Sequence, residues 1–332
     1  MSESERALLA WLRQEARSAG GELLGDDCAC LPAAGPLAVT VDTQIEGTHF
    51  LPGTDEALLG PRLLAVNLSD LAAQGALPQW AVLTVAAPAG FRHRRFFRTL
   101  VGACRRWGVK LAGGDLARAP LVALTLTLIG VKRPGGRWLE RRLARPGDGL
   151  FVGGTLGESA AGQRLLARGA RLSGRSVVLP ADLPERGTLA AAARRAVSRH
   201  LRPTPQLELS AWLAEQERVG AIDVSDGLAL DLDRLCGEGA VGARIEAESL
   251  PFSPRLAELA AWLGEDARRL ALTGGEDYVL LFTLPALQAP PPRFGAVRIG
   301  SITRARKVEI VEGGQRNELP AAGWDHLDRH SQ

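Results

Sequence analysis

Ala221-Ile222-Asp223-Val224-Ser225-Asp226-Gly227 is a short apolar strand that ends on carboxylates and passes, at a glycine, into the helical spacing of residues 227 to 237. A strand handed to a helix through an acidic turn predicts a mixed α/β chain. It also predicts where chemistry sits, because carboxylates at strand ends and turns can converge on hard cations such as Mg²⁺. The pattern recurs outward along the chain in Gly25-Asp26-Asp27, Val41-Asp42-Thr43, Asn67-Leu68-Ser69-Asp70 and Gly113-Gly114-Asp115.

Leu8, Leu9, Trp11, Leu12 and Ala16 predict an opening helix over 5–17. Residues 37–42 read as a strand ending in Asp42. Residues 56–74 read as a helix bearing Leu59, Leu63, Leu64, Val66 and Leu71, with Asp70 near its later turns. Two β-like runs, 80–87 and 121–130, are separated by a helical stretch from about 92 to 107, which makes an N-terminal α/β unit. Val131 to Gly147, rich in arginine, proline and glycine, breaks both periods and marks a junction. The expected domains are 1–135 and 136–332. In the second, strands are expected near 149–153, 221–224, 278–283 and 297–302, and helices near 156–168, 205–218 and 227–237. The stretches 169–186 and 286–294 read as long exposed loops.

The 332 residues, 46% of them hydrophobic, can bury two cores. With 40 basic and 37 acidic residues the net charge is +3, which gives no basic field for nucleic acid. Lys110, Lys132 and Lys307 are the lysines, and none lies in a phosphate-binding Gly-x-x-x-x-Gly-Lys loop. The protein-kinase set of glycine-rich turn, strand lysine and His-Arg-Asp is also missing. Nucleotide chemistry here must rest on metal ions and arginine. Cys28, Cys30, Cys104 and Cys236 fit neither a zinc site nor a disulfide framework and read as thiols of a reducing compartment. The polar N-terminus, and the lack of any apolar run near the roughly 20 residues that span a bilayer, predict a cytoplasmic protein without a membrane partner.

Each acidic phrase has a bland reading beside the functional one. Gly-Asp-Asp is a common turn. Asp42 needs a cation or hydrogen bonds if it closes a strand, and Asp70 could lie on the wet side of its helix. Gly113-Gly114 could be a helix C-cap or a point of close phosphate approach. At Gly227 the helix start could hold an anion on its N–H groups, or Asp226 could be its N-cap. The phrase is not an EF-hand, since Arg234 stands where glutamate would be needed.

Taken in order, Gly25-Asp26-Asp27, Val41-Asp42-Thr43 with Glu46-Gly47-Thr48-His49-Phe50, Ala65-Val66-Asn67-Leu68-Ser69-Asp70, Gly113-Gly114-Asp115, Arg202-Pro203-Thr204-Pro205, Ile222-Asp223-Val224-Ser225-Asp226-Gly227 and Leu272-Thr273-Gly274-Gly275-Glu276-Asp277-Tyr278 resemble the thiamine-monophosphate kinases. These belong to the aminoimidazole ribonucleotide synthetase superfamily. The resemblance runs from about residue 20 to Trp324-Asp325-His326. It departs at Cys28, Cys30 and Val279, none of which is assigned a role.

The resemblance implies an α+β fold of two domains. An N-terminal sheet with helices would bind ATP and metal and form a homodimer, and a C-terminal α/β sandwich would complete the nucleotide and substrate site. It implies Mg²⁺-dependent transfer of the ATP γ-phosphoryl group to thiamine monophosphate. Metal ligands would be Asp26, Thr40, Val41 through its backbone, Asp42, Asp70, Asp115, Asp223 and Asp226, holding several ions. ATP would meet Gly114, Asp115, Arg141 and Ser225, and thiamine monophosphate would meet His49, Glu276 and Trp324.

Chemistry agrees with this set. A phosphomonoester with a second pKa of about 6 is already ionised at neutral pH, so no general base is needed. Bringing two polyanions together is the difficulty, and metals with carboxylates and a forked arginine answer it. A thiazolium cation suits an indole face and a carboxylate. Three bland alternatives stay open: His49 capping its loop, Glu276 in an ordinary turn, and Trp324 anchoring the C-terminal segment. The rival readings are another ATP-using member of the superfamily (aminoimidazole ribonucleotide, selenophosphate or hydrogenase-maturation type) and a non-catalytic nucleotide- or metal-binding protein.

Overall fold

The computed structural model describes residues 5–17, 31, 33–173 and 176–324, which form two compact units. The N-terminal unit comprises the described part of Met1–Leu71 with Ala76–Pro134, and the C-terminal unit Ala72–Gly75 with the described part of Gly135–Gln332.

In the N-terminal unit the order is α1 (Glu5–Arg17), β1 (Leu37–Ile45), α2 (Glu56–Ala73), β2 (Ala76–Ala87), α3 (His93–Trp107), β3 (Lys110–Arg118) and β4 (Ala123–Lys132). The sheet runs β1-β4-β2-β3, with β2 and β3 parallel and the other pairs antiparallel. Because side chains alternate along a strand, β4 sends Leu124, Leu126 and Leu128 to one face, where all are fully buried. Gly130, on the same face, has Leu71 of α2 close enough that a Cβ would sit 3.0 Å from its Cδ1. On α3, Phe96, Phe97, Leu100, Val101 and Cys104 are buried at the 3.6-residue period, and a Cβ on Gly60 of α2 would lie 2.8 Å from Leu100 Cβ. The opposite face is different. Leu37, Val39 and Val41 of β1 are 40%, 62% and 59% exposed there.

Two expectations are corrected in this unit. β1 does not stop at Asp42 but continues to Ile45, placing the aspartate inside the ladder opposite Leu126. Gly113-Gly114-Asp115 is neither helix cap nor turn: α3 is capped by Gly108 in the left-handed region (φ 68°), and the phrase lies in β3.

The C-terminal unit continues with β5 (Gly149–Val152), α4 (Glu158–Ala167), β6 (Arg171–Ser173), β7 (Ser176–Val178), α5 (Thr188–Leu201), α6 (Leu207–Ala214), β8 (Ala221–Asp223), α7 (Leu228–Gly239), β9 (Gly242–Glu246), α8 (Pro254–Leu263), α9 (Ala267–Thr273), β10 (Leu280–Leu284), β11 (Val297–Thr303), β12 (Val308–Glu312) and β13 (Gln315–Glu318). Its large sheet runs β13-β12-β9-β11-β5-β10-β8. Leu150, Val152, Ile222 and Leu281 pack on one face with Leu228, Leu232 and Leu235 of α7. Phe151, Ala221, Leu280 and Phe282 pack on the other with Leu209 and Leu213 of α6. A sheet covered on both faces explains why every residue of β5 and β10 is buried and all but Thr283 are apolar or glycine. The stretch 169–186 is not all loop, since β6 and β7 pair as an antiparallel ribbon within it. No helix among the described residues is long and apolar enough to cross a membrane.

Candidate active site

In the N-terminal unit, Thr40 and Asp42 share the helix-covered face of β1 because they stand two residues apart. Thr40 Oγ1 donates to Asp70 Oδ2 on α2 at 2.5 Å, so the structure brings two phrases 30 residues apart into direct contact. Val41 alternates to the other face, where its side chain is exposed. Ladder register aligns Asp42 with Leu126, Leu83 and Gly114, and Thr43 with Thr125, Thr84 and the exposed Asp115. Gly114 is required by the strand itself, since a Cβ would collide with the Leu83 carbonyl oxygen. His49 does cap its loop: its Nδ1 accepts from the Ile45 N–H at 3.1 Å. Asp26 lies outside the described residues.

The C-terminal unit gathers its candidates around two loops. Asp223, 5% exposed, ends β8 opposite Leu280. Ser225 O accepts from Glu276 N–H at 2.6 Å, Val224 O accepts from Tyr278 N–H at 2.8 Å, and Asp226 O accepts from Trp324 N–H at 2.9 Å. Asp223, Ser225, Asp226, Glu276 and Trp324 therefore form one neighbourhood. Glycine makes the packing possible. Gly227 has φ 124°, and a Cβ there would lie 3.0 Å from Thr273 Cα; Gly275 has φ 68°, and its Cβ would lie 2.7 Å from Ser225 O. Arg141 is exposed on a short 3₁₀ turn, and the loop behind it is braced by Arg218, which donates to Leu143 O at 2.8 Å and to both carboxylate oxygens of Asp148.

The expected anion site at the start of α7 is already filled. The N–H groups of Ser225, Asp226 and Gly227 donate to Asp231 Oδ2 at 3.0, 3.0 and 3.2 Å. Asp226 is not the N-cap, which is Gly227. Its carboxylate instead meets Arg234, which also holds Asp231 at 2.9 Å. Burial and the neighbouring Asp226 push the Asp231 carboxyl up to about 6, against the backbone donors and Arg234. Asp231 and Arg234 carry no family phrase, yet Asp231 stands on the apolar stripe of Leu228, Leu232 and Leu235, and an acid on such a stripe is a readable signal.

Asp277 is a second missed acid. It accepts from Gly157 N–H at 2.8 Å and Ser159 N–H at 3.4 Å, capping α4, and burial pushes it up to about 7. Between about pH 4 and 7 the folded chain keeps a proton here that the unfolded chain releases, so this group's contribution to stability falls as pH rises. We expect the melting temperature of Asp277→Asn to vary less than that of the wild type across this window; identical pH profiles would refute the role.

The oxygen donors, without thiolate or imidazole, suit a hard cation such as Mg²⁺. Among the described residues, no group of three or more His, Cys, Asp or Glu side chains is placed to hold a metal ion.

The family described as AIR synthase related protein, N-terminal domain, matches residues 25–132. Thiamine-monophosphate kinase of Escherichia coli strain K12 is 38% identical over 316 residues, covering 92% of this chain and 91% of its own. The chain belongs to the thiamine-monophosphate kinase family. The crystal structure of thiamine-monophosphate kinase from Stenotrophomonas maltophilia K279a is 35% identical with a TM-score of 0.78, covering 96% of this chain and 99% of its own. The structure of AaThiL complexed with AMPPCP and TMP is 29% identical with a TM-score of 0.75, covering 97% of each chain. The hydrogenase maturation protein HypE in complex with ATP, at 20% identity and a TM-score of 0.69 over 98% of this chain and 97% of its own, shares the fold alone.

Proposed function

We propose that this chain transfers the γ-phosphoryl group of ATP to thiamine monophosphate, giving thiamine diphosphate and ADP, in the cytoplasm and with Mg²⁺. The observation that carries the reading is the 38% identity to thiamine-monophosphate kinase over 92% of the chain, supported by a similar protein complexed with AMPPCP and TMP. Incubating the purified chain with ATP, Mg²⁺ and thiamine monophosphate tests it. Failure to form thiamine diphosphate, with nucleotide still bound, would favour a binding protein.

The residues divide the work between two domains, 1–135 for ATP, metal and dimerisation, and 136–332 to complete the nucleotide and substrate site. Mg²⁺ would be held by Asp26, Thr40, the Val41 backbone, Asp42, Asp70 and Asp115 in the first, and by Asp223 and Asp226 in the second. When bound it neutralises phosphate charge and aligns an in-line displacement. Gly114, Asp115, Arg141 and Ser225 bind ATP, with Arg141 supplying a forked, permanently charged donor. The Arg234 guanidinium holds the Asp226 carboxylate in place on the loop.

His49, Glu276 and Trp324 bind thiamine monophosphate. The Trp324 backbone donates to Asp226 O, which fixes the indole's place in the chain beside the Ser225-Asp226 loop, and the indole would stack on the cationic ring. Trp324→Ala should raise KM for thiamine monophosphate about tenfold, and KM for ATP far less. Equal changes in both would remove the stacking role.

The homodimer is part of the same proposal. Leu37, Val39 and Val41 form an exposed apolar row on an edge strand, the kind of surface that a second copy covers. Sedimentation equilibrium that found only monomer at micromolar concentration would overturn it.

A further inference from the structure

Gly275, Glu276 and Tyr278 have φ angles of 68°, 56° and 50°. A side chain in this left-handed region costs roughly 1–3 kcal/mol and persists only where its surroundings hold it. Here the backbone is pinned to Ser225 and Val224, and the intervening Asp277 caps α4. The strained turn therefore delivers the Glu276 side chain to a fixed place. Its Oε2 lies 3.1 Å from Nδ1 of His200 on α5, a side chain only 4% exposed, and Ser159 Oγ of α4 lies 3.2 Å from the same nitrogen.

We propose that His200 is a positioning residue for substrate recognition: Nδ1–H donates to Glu276 and holds its carboxylate where it meets the cationic ring of thiamine monophosphate. The inference rests on Glu276 being the substrate carboxylate, as read above. Glutamate loses several rotamers when it engages a ligand, and a buried donor that orders it beforehand removes much of that cost from binding. Ser159, itself 1% exposed, sits at the same imidazole nitrogen, so α4 and α5 both constrain the donor.

The test is steady-state kinetics of the full chain with each substrate varied. His200→Phe, which keeps the ring and lacks the donor, should raise KM for thiamine monophosphate about tenfold, the loss of one charge-assisted hydrogen bond. KM for ATP and kcat at saturation should stay within about twofold. His200→Asn, whose amide nitrogen stands near the place of Nδ1, should recover KM to within about threefold of the wild type. Glu276→Gln should raise KM as well, and adding His200→Phe to it should raise it no further. Additive effects, a parallel rise in KM for ATP, or no rescue by asparagine would overturn the inference. A shift in Glu276→Gln without one in His200→Phe sinks His200 alone, whereas no shift in Glu276→Gln sinks the substrate-site reading with it. If phenylalanine prevents folding, His200→Ala supplies the donorless variant.

Discussion

Asp42→Asn should lower thiamine diphosphate formation by about a thousandfold, the scale on which one lost charge-stabilising group slows a reaction that brings negative charges together. The substitution keeps shape and removes only charge. Asp42 is half-buried in the middle of β1, on the face where Thr40 binds Asp70, and its ladder partner Leu126 is fully buried and indifferent to the change. The backbone bonds of β1 to β4 do not involve the side chain, so circular dichroism should show the wild-type fold. A folded Asp42→Asn enzyme with full turnover would remove this carboxylate from the site.

The second large effect is on stability. Asp231→Ala should weaken the C-terminal unit by about 3 kcal/mol or more in urea unfolding, because three N–H groups lose their shared acceptor at once. Asp231 is fully buried, and no water reaches its oxygens without opening the start of α7. The loop it holds carries Ser225 and Asp226, so turnover should fall at temperatures where the variant is still folded. Asp231→Asn, which retains one acceptor oxygen, should lie between. A loss below about 1 kcal/mol would show that the three bonds are replaced locally.

How far the sequence could be read depended on whether neighbouring residues advertise their own surroundings. α3 announced itself because its buried positions repeat at 3.6 residues, and α1 and α2 did so through leucines at helical spacing. β3 did not: Gly113-Gly114-Asp115 has the composition of a turn, and only pairing with β2 makes it a strand. β12, with Val308-Glu309-Ile310-Val311, is a strand because it lies parallel to β9 far back in the chain. Candidate residues in glycine-rich phrases could be found, because glycine and aspartate together are conspicuous. His200 could not, since Ser198-Arg199-His200 ends an ordinary helix and gains meaning only from Glu276 lying 76 residues further on. Asp277 looks no different from Glu276 until the one is seen to cap α4 and the other to face α5.

Where Gly227 and Gly275 bring main chain against main chain, no library of side chains can retune the spacing between the two loops. Diversity introduced at either position should yield inactive clones almost without exception, and any adjustment of catalytic preference must come from neighbours that surround the contact. The gap between those loops behaves as a fixed gauge, cut to the thickness of a peptide bond.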